Sequence, residues 1–229
     1  MDEIDIEPTT TNVSVIVTCH NLEAYLNECV QSLWSQTVQP KEVIIIHDKC
    51  DKPMAFDGTT TVIRDGNIGV AKSRDEGVRL STQPNLLFVD ADDVLPEFFL
   101  QEMVATLQHG ADVAYPDVLV WARWGESVYH NAWYNPPKRL TMRHMIVKNQ
   151  VVVTSLMRRK VYEAVGGFDP ELPIFEDYAF WMAAMKQGFV FKKANTYLKY
   201  RQRTESRNRQ SDSLKKQIYE QIKNLYAAK

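Results

Sequence analysis

The strongest constraint on the fold is a change of hydrophobic period that repeats through residues 13–115. Residues 13–18 form a short β-branched run, and the turn-prone His20 and Asn21 follow it, which predicts a buried strand. Leu22, Tyr25, Leu26, Cys29, Val30, Leu33 and Trp34 then recur at i, i+3, i+4, i+7, i+8, i+11 and i+12, an amphipathic helix whose apolar stripe covers that strand. Pro40 ends the connection, and residues 43–47 read as a second buried strand. The alternation continues with a strand at 60–64, a helix at 70–80, a strand at 86–90, and a helix opened by Pro96 that runs to Leu107 and stops at Gly110. Strand-helix-strand units favour a parallel sheet with right-handed crossovers, so this half of the chain is expected to be α/β, of nucleotide-binding type.

Beyond residue 115 the pattern blurs. The stretch to Pro137, which holds Trp121, Trp124, Tyr129, Trp133 and Tyr134, reads as loop-rich. Helical spacing returns at 141–148, 158–165 and 176–186, with short strands at 151–156, 190–193 and 196–201. From Ser211 onward, Leu214, Ile218, Ile222, Leu225 and Tyr226 form a last helical stripe.

The 229 residues are 45% hydrophobic and 24% charged, which supports a buried core and excludes a disordered polyelectrolyte. The net charge of −2 conceals an asymmetry: the residues before Lys186 hold 15 basic and 26 acidic side chains, and those from Lys186 onward hold 12 and 3. A uniformly basic nucleic-acid binder is excluded as well. Cys19, Cys29 and Cys50 match neither a zinc spacing nor a disulfide framework, and a reducing interior is the simplest reading. No uncharged apolar run approaches the roughly 18 residues that span a bilayer, and the acidic start lacks the marks of a signal peptide. A cytoplasmic protein, at most peripheral at a membrane surface, is expected.

The sharpest local feature is Phe88-Val89-Asp90-Ala91-Asp92-Asp93, an apolar strand running into three carboxylates. Ligands of open α/β sheets bind beyond the carboxyl ends of the strands. Clustered carboxylates repel one another, and hard oxygen ligands suit Mg²⁺ or Mn²⁺. A solvated acidic turn capping the following helix fits the same three residues. Thr18 to Asn21 closes the first strand and His47-Asp48 the second, so three strand ends carry polar groups suited to one ligand. Taken singly, Asp48 also reads as a turn residue and Asn21 as a helix N-cap.

These residues resemble the inverting GT-A glycosyltransferases of the second glycosyltransferase sequence family. The resemblance rests on residues 13–21, on Ser32-Leu-Trp-Ser-Gln-Thr37, on Glu42-Val-Ile-Ile-Ile-His-Asp48, and on Asn67-Ile-Gly-Val-Ala-Lys-Ser-Arg74 with Gly77. It continues through Asp90-Ala-Asp92, Gly166-Gly-Phe-Asp169 and Glu176-Asp177, in the family's order over about residues 12–206. It implies a Rossmann-like, mostly parallel sheet flanked by helices. A polar lead-in (1–12) would precede one transferase domain (13–209), made of a nucleotide-sugar half (13–115) and an acceptor-binding, catalytic half (116–209). A C-terminal amphipathic helix (210–229) would follow.

The resemblance also implies roles. Thr18, His20, Asn21, Asp48, Arg74, Asp90 and Ala91 would line the nucleotide sugar, most often a UDP-sugar, with Asp48 accepting the uracil imide hydrogen. Asp92 would bind Mn²⁺ or Mg²⁺ directly, and Asp90 would face the ribose or a metal-bound water. A sugar leaving a nucleoside diphosphate places negative charge on the β-phosphate, which the cation stabilises. Asp177, with Glu176 beside it at the start of a helix, would take the proton from the acceptor hydroxyl. The same pair also suits the helix macrodipole. Two departures stand out: Lys49 takes the place of the glycine that commonly follows the second strand, and Gln202-Arg203 replaces a histidine. Arg203 cannot ligate a metal but can clamp a phosphate.

Trp121, Trp124, Trp133 and Tyr134 lie where such enzymes diverge to bind acceptors, and their rings suit a glycan, a lipid-linked acceptor or a nucleobase; packing onto the core is the alternative. The basic end could line phosphates, meet anionic lipid or nucleic acid, or form a solvated face, and the terminal helix could pack or form a homodimer. The expected activity is metal-dependent, inverting transfer of a hexose or N-acetylhexosamine to a hydroxyl. Alternatives are the same chemistry on modified (hydroxymethylated) DNA and a non-catalytic sugar-nucleotide-binding module.

Overall fold

The computed structural model describes residues 10–124, 127–203 and 211–227, without the side chains of 123–124, 127–131 and 227. One sheet organises them. Strand β1 (Thr10–Cys19) pairs in parallel with β2 (Gln39–Asp48) on one side and β4 (Asn85–Asp90) on the other, and β3 (Thr59–Arg64) extends it in parallel beyond β2. Helices α1 (Glu23–Trp34), α2 (Val70–Leu80) and α3 (Phe99–Gln108) follow β1, β3 and β4. The sheet continues from β4 through antiparallel β7 (Leu156–Arg158) to β5 (Val113–Trp124), which pairs antiparallel with β6 (Ser127–Tyr134) and in parallel with β8 (Phe191–Arg201).

Both faces of the sheet are apolar, which is why β1 reads as an unbroken run rather than an alternation. Val13, Val15 and Val17 pack with α1 and α3 residues such as Leu26, Val30 and Met103, while Ile16 joins Phe88, Phe168 and Trp181 on the other face. Gly77 of α2 crosses Ile16 so closely that a Cβ there would overlap Ile16 Cγ2. Helices α4 (Met142–Val147), α5 (Arg159–Val165) and α6 (Glu176–Lys186) build the second layer. Helix α7 (Asp212–Ala227) lays Ile218 and Ile222 into it and stacks Tyr219 on Tyr178 at 4.7 Å, so part of its apolar stripe is covered by its own chain. No helix among the described residues is long and apolar enough to cross a membrane.

Five expectations need correction. Residues 115–137 are not loop-rich: they carry most of β5 and β6, and Pro116 sits where the β5–β8 register shifts and where a missing N–H is tolerated. The strand expected at 151–156 begins only at Leu156; Val151 and Val153 are buried by packing, not by strand pairing. The two strands expected at 190–193 and 196–201 are the two registers of the single strand β8, separated by that same irregularity. Pro40 does not end a connection but lies at the start of β2, and Pro96 precedes α3 in a turn closed by Phe99 N–H donating to its carbonyl.

Candidate active site

The carboxyl ends of β1, β2 and β4 converge with the start of α6. Asp90, the last residue of β4, accepts at Oδ1 from Arg74 Nη2 at 3.0 Å and from the Thr18 hydroxyl at 3.4 Å. Arg74 projects from α2, is 2% exposed, and lies over the Phe168 ring at 5.2 Å. Its other arm, Nη1, donates to Glu176 Oε1 at 2.8 Å. One guanidinium thus ties the end of β4 to the first residue of α6, with Arg74 and Glu176 themselves 102 positions apart in the sequence. Burial disfavours the Arg74 charge, but Asp90 and Glu176 outweigh it and hold its pKa above the usual arginine value.

Asp177 stands next on α6. Its Oδ1 accepts from Tyr178 N–H at 2.8 Å and its Oδ2 from Asn149 Nδ2 at 3.3 Å. Desolvation, then repulsion from Glu176, pushes its pKa up to about 7, against the pull of Arg74. A carboxylate tuned there can exchange a proton near neutral pH, which an ordinary exposed aspartate cannot do efficiently.

The three carboxylates after β4 have separate partners. Asp92 accepts from Arg203 Nε at 2.5 Å, while burial and Asp90 raise its pKa. Asp93 is buried, accepts from the Arg201 backbone N–H at 3.1 Å, and has its pKa pushed well up by burial, Asp92 and Asp90. It faces β8. That leaves Asp90 and Asp92 as the hard-oxygen pair whose mutual repulsion a divalent cation relieves, so the residues fit Mn²⁺ or Mg²⁺. Ala91 between them is fully buried, and its amide donates to the Thr18 carbonyl at 3.1 Å.

On the β2 side, Asp48 is 3% exposed and accepts the amides of Ile68 and Gly69 at 2.7 and 2.9 Å, which pins the turn before α2. Exposed His20 donates from Nδ1 to the Asp48 carbonyl at 2.5 Å, leaving Nε2 to accept from Asn67 Nδ2 at 3.4 Å. Asn21 is exposed and does not cap α1, whose N-cap is Leu22. Among the described residues, three that are not glycine have positive φ: Asn21 (52°), Lys49 (58°) and Phe175 (64°). Each sits directly after or before a site residue, and left-handed backbone at such positions costs on the order of 1 kcal/mol. The resemblance puts Lys49 where the family commonly has glycine, and a positive φ is the conformation that glycine adopts most readily.

The aromatic candidates separate. Trp121 is 5% exposed and carries the Arg201 guanidinium on its ring at 4.1 Å, so it supports the site from below. Trp133 is 55% exposed, edge-on to Tyr197 at 5.1 Å. The Tyr134 hydroxyl donates to Gln150 Oε1 at 2.5 Å and lies 3.2 Å from the carbonyl oxygen of Asn149, the residue whose side chain holds Asp177. The Trp124 side chain, the polar lead-in through residue 9, and basic residues 204–210 lie outside the described residues.

Sequence reasoning missed Asn149 and the full role of Arg201. The latter donates from Nε to the Asp92 carbonyl at 2.9 Å and from Nη2 to Glu28 at 2.5 Å, and so locks the β4 turn to β8 and α1. A basic residue at a strand end was the available signal, but its partners lie over 100 positions away.

Comparison with known proteins agrees with this architecture. The model of the family described as "Glycosyltransferase like family 2" matches residues 10–219. An uncharacterized glycosyltransferase of Haemophilus influenzae is 26% identical over 209 residues, 82% of this chain and 65% of that protein. A glucosyl-dolichyl phosphate glucuronosyltransferase of Haloferax volcanii is 26% identical over 174 residues, 69% of this chain and 56% of that one. The crystal structure of S. aureus TarS in complex with UDP-GlcNAc has a TM-score of 0.70 at 20% identity, over 88% of this chain and 62% of that chain. This chain therefore spans less than two thirds of the length of these relatives.

Proposed function

Because this chain belongs to the glycosyltransferase like family 2, we propose that it transfers a sugar from a nucleotide diphosphate sugar, with UDP as the nucleotide, to a hydroxyl acceptor with inversion at the anomeric carbon. The carrying observation is the Arg74 bridge, which brings the carboxyl end of β4 and Asp177 into one site. The bound UDP-GlcNAc of the TarS structure supports the choice of donor.

His20 and Asp48 border the base. The carboxylate oxygens of Asp48 each retain a lone pair beyond the amides they accept, enough to take an imide hydrogen. Asp90 and Asp92 would hold the cation, Mn²⁺ or Mg²⁺, which supplies charge stabilisation to the departing diphosphate. Arg203 presents a fork of N–H donors, of which Nε is engaged by Asp92, and the rest suit phosphate oxygens. Asp177 accepts the acceptor's hydroxyl proton as that oxygen forms the new bond to the anomeric carbon and the bond to the diphosphate breaks on the opposite face. Asn149 orients the Asp177 carboxylate, and exposed Trp133 with Tyr134 offers the acceptor its aromatic surface.

The test is nucleotide release from a panel of nucleotide sugars, with and without Mn²⁺, for the wild type, Asp92→Ala and Asp177→Asn. Transfer with an inverted anomeric configuration by NMR, lost in Asp177→Asn, is expected. An unchanged Asp177→Asn transfer rate would remove the base assignment, and a retained configuration would remove inversion.

A further inference from the structure

The structure brings together two cysteines and a histidine that are far apart in the sequence. Cys19 closes β1, while His47 and Cys50 flank the end of β2. Cys19 Sγ, Cys50 Sγ and a ring nitrogen of His47 lie within 4.8 Å of one another, and Cys19 and His47 are fully buried. All three cysteines of the chain are free thiols.

The histidine identifies what the cluster suits. His47 Nε2 lies 2.8 Å from the Met54 carbonyl, which can only accept, so Nε2 carries the proton. Nδ1 then keeps its lone pair, is buried, and has no hydrogen-bond partner. A buried acceptor without a donor is costly. An imidazole that donates one N–H to a backbone carbonyl and keeps its other nitrogen unpartnered beside two thiols has the outer-shell arrangement of a metal-ligating histidine.

We infer that Cys19, His47 and Cys50 form a site for Zn²⁺, distinct from the Asp90–Asp92 pair. Two sulfurs and one imidazole nitrogen match the soft-to-borderline preference of zinc and not the all-oxygen preference of Mg²⁺ or Mn²⁺. The two sulfurs stand 3.5 Å apart, close to the roughly 3.8 Å that tetrahedral Zn–S bonds of about 2.3 Å impose. A disulfide explains less. It requires an S–S separation of about 2.05 Å and leaves His47 Nδ1 without a partner. Three protein ligands leave a fourth position for water.

The location gives the site a consequence, which rests on the donor reading above. Cys19 precedes His20, and Asp48 stands between His47 and Cys50, so the ion ties together the two strand ends that border the base. It would act as a staple for that side of the pocket, not as a participant in transfer.

The experiment uses the reduced, chelator-stripped chain without nucleotide. Competition against a chromogenic chelator is expected to give one Zn²⁺ per chain, native mass spectrometry to show the same stoichiometry, and Co²⁺ to give thiolate charge-transfer absorption, which an all-oxygen site does not produce. Cys50→Ser and His47→Gln should each weaken Zn²⁺ binding more than about 100-fold, beyond the cost of losing an outer-shell partner. Asp92→Asn should leave it intact. Absence of stoichiometric Zn²⁺, Zn²⁺ binding retained in both variants, or an isolated chain with Cys19 and Cys50 in a disulfide would each overturn the site. UDP binding with and without the bound zinc then tests the staple alone: a weaker UDP affinity after stripping is expected, and unchanged UDP affinity overturns that role while leaving the zinc site standing. Failure of UDP to bind in either form counts against the donor reading instead.

Discussion

The two sides of the site hold their functional groups in different ways. On the β2 side, Asp48 rests on the neighbouring backbone amides of Ile68 and Gly69. Where β4 meets α6 and β8, the supports are side chains that the fold brings together: Arg74 on Asp90, Asn149 on Asp177, Trp121 under Arg201, Arg203 on Asp92. Backbone amides cannot rotate away, so the first kind of support is local and rigid. The second kind depends on the whole packing. Arg74 is its centre, because it holds Asp90 at the end of β4 and Glu176 at the start of α6 at once.

The largest effect that would sharpen this contrast is expected from Asp177→Asn, which removes the base and keeps the shape. Its kcat should fall by roughly 10²–10⁴-fold with the donor dissociation constant unchanged by calorimetry. Parallel loss of donor affinity would show that the two sides do not act separately. Arg74→Met comes next, since it strands Asp90 and Glu176 without their shared cation. Urea unfolding should show a loss of about 3 kcal/mol, and donor affinity and kcat should both drop. Two independent losses are the signature of a bridging residue.

The pH dependence separates the two sides by a third route. The folded-state pKa of Asp177 is raised to about 7, so its base form is present above that pH and disappears below it. The kcat should therefore fall about tenfold per unit as pH drops below 7, while donor binding changes far less over the same range. The raised pKa also means that the folded state binds this proton more tightly than the unfolded state, so the group's contribution to stability is lost as pH rises through 7. Asp177→Asn should accordingly raise the melting temperature more at pH 8 than at pH 5. The smallest effect is expected from Lys49→Gly, which relieves a left-handed backbone and should add up to about 1 kcal/mol by thermal unfolding.

The donor half was also the more legible one, for the same physical reason. A strand buried on both faces and a helix buried on one leave periods that are written locally, and helix α2 falls at the expected residues 70–80. The β5–β6 pair was misread because its blurred pattern becomes strand only through pairing with β7 and β8, and a pairing partner is not a local property. Glu176 and Asp177 were reached through the family resemblance, since their place at a helix start by itself suits the macrodipole equally well, but Asn149 was not: an asparagine after a short helix has no mark of its own until the fold sets it against a carboxylate.

Chain order alone was enough for the alternation of strand and helix, the carboxylates at the end of β4, and the family resemblance. All of these rest on neighbours within a few residues or on ordered motifs. Spacing argued against any metal pattern in the cysteines, yet Cys19, His47 and Cys50 meet because adjacent parallel strands end at the same level. Only tertiary structure could decide that, along with which of Asp90, Asp92 and Asp93 faces Arg74, Arg203 or β8. Burial and charge pairing act through space, and folding sets those distances without regard to separation along the chain.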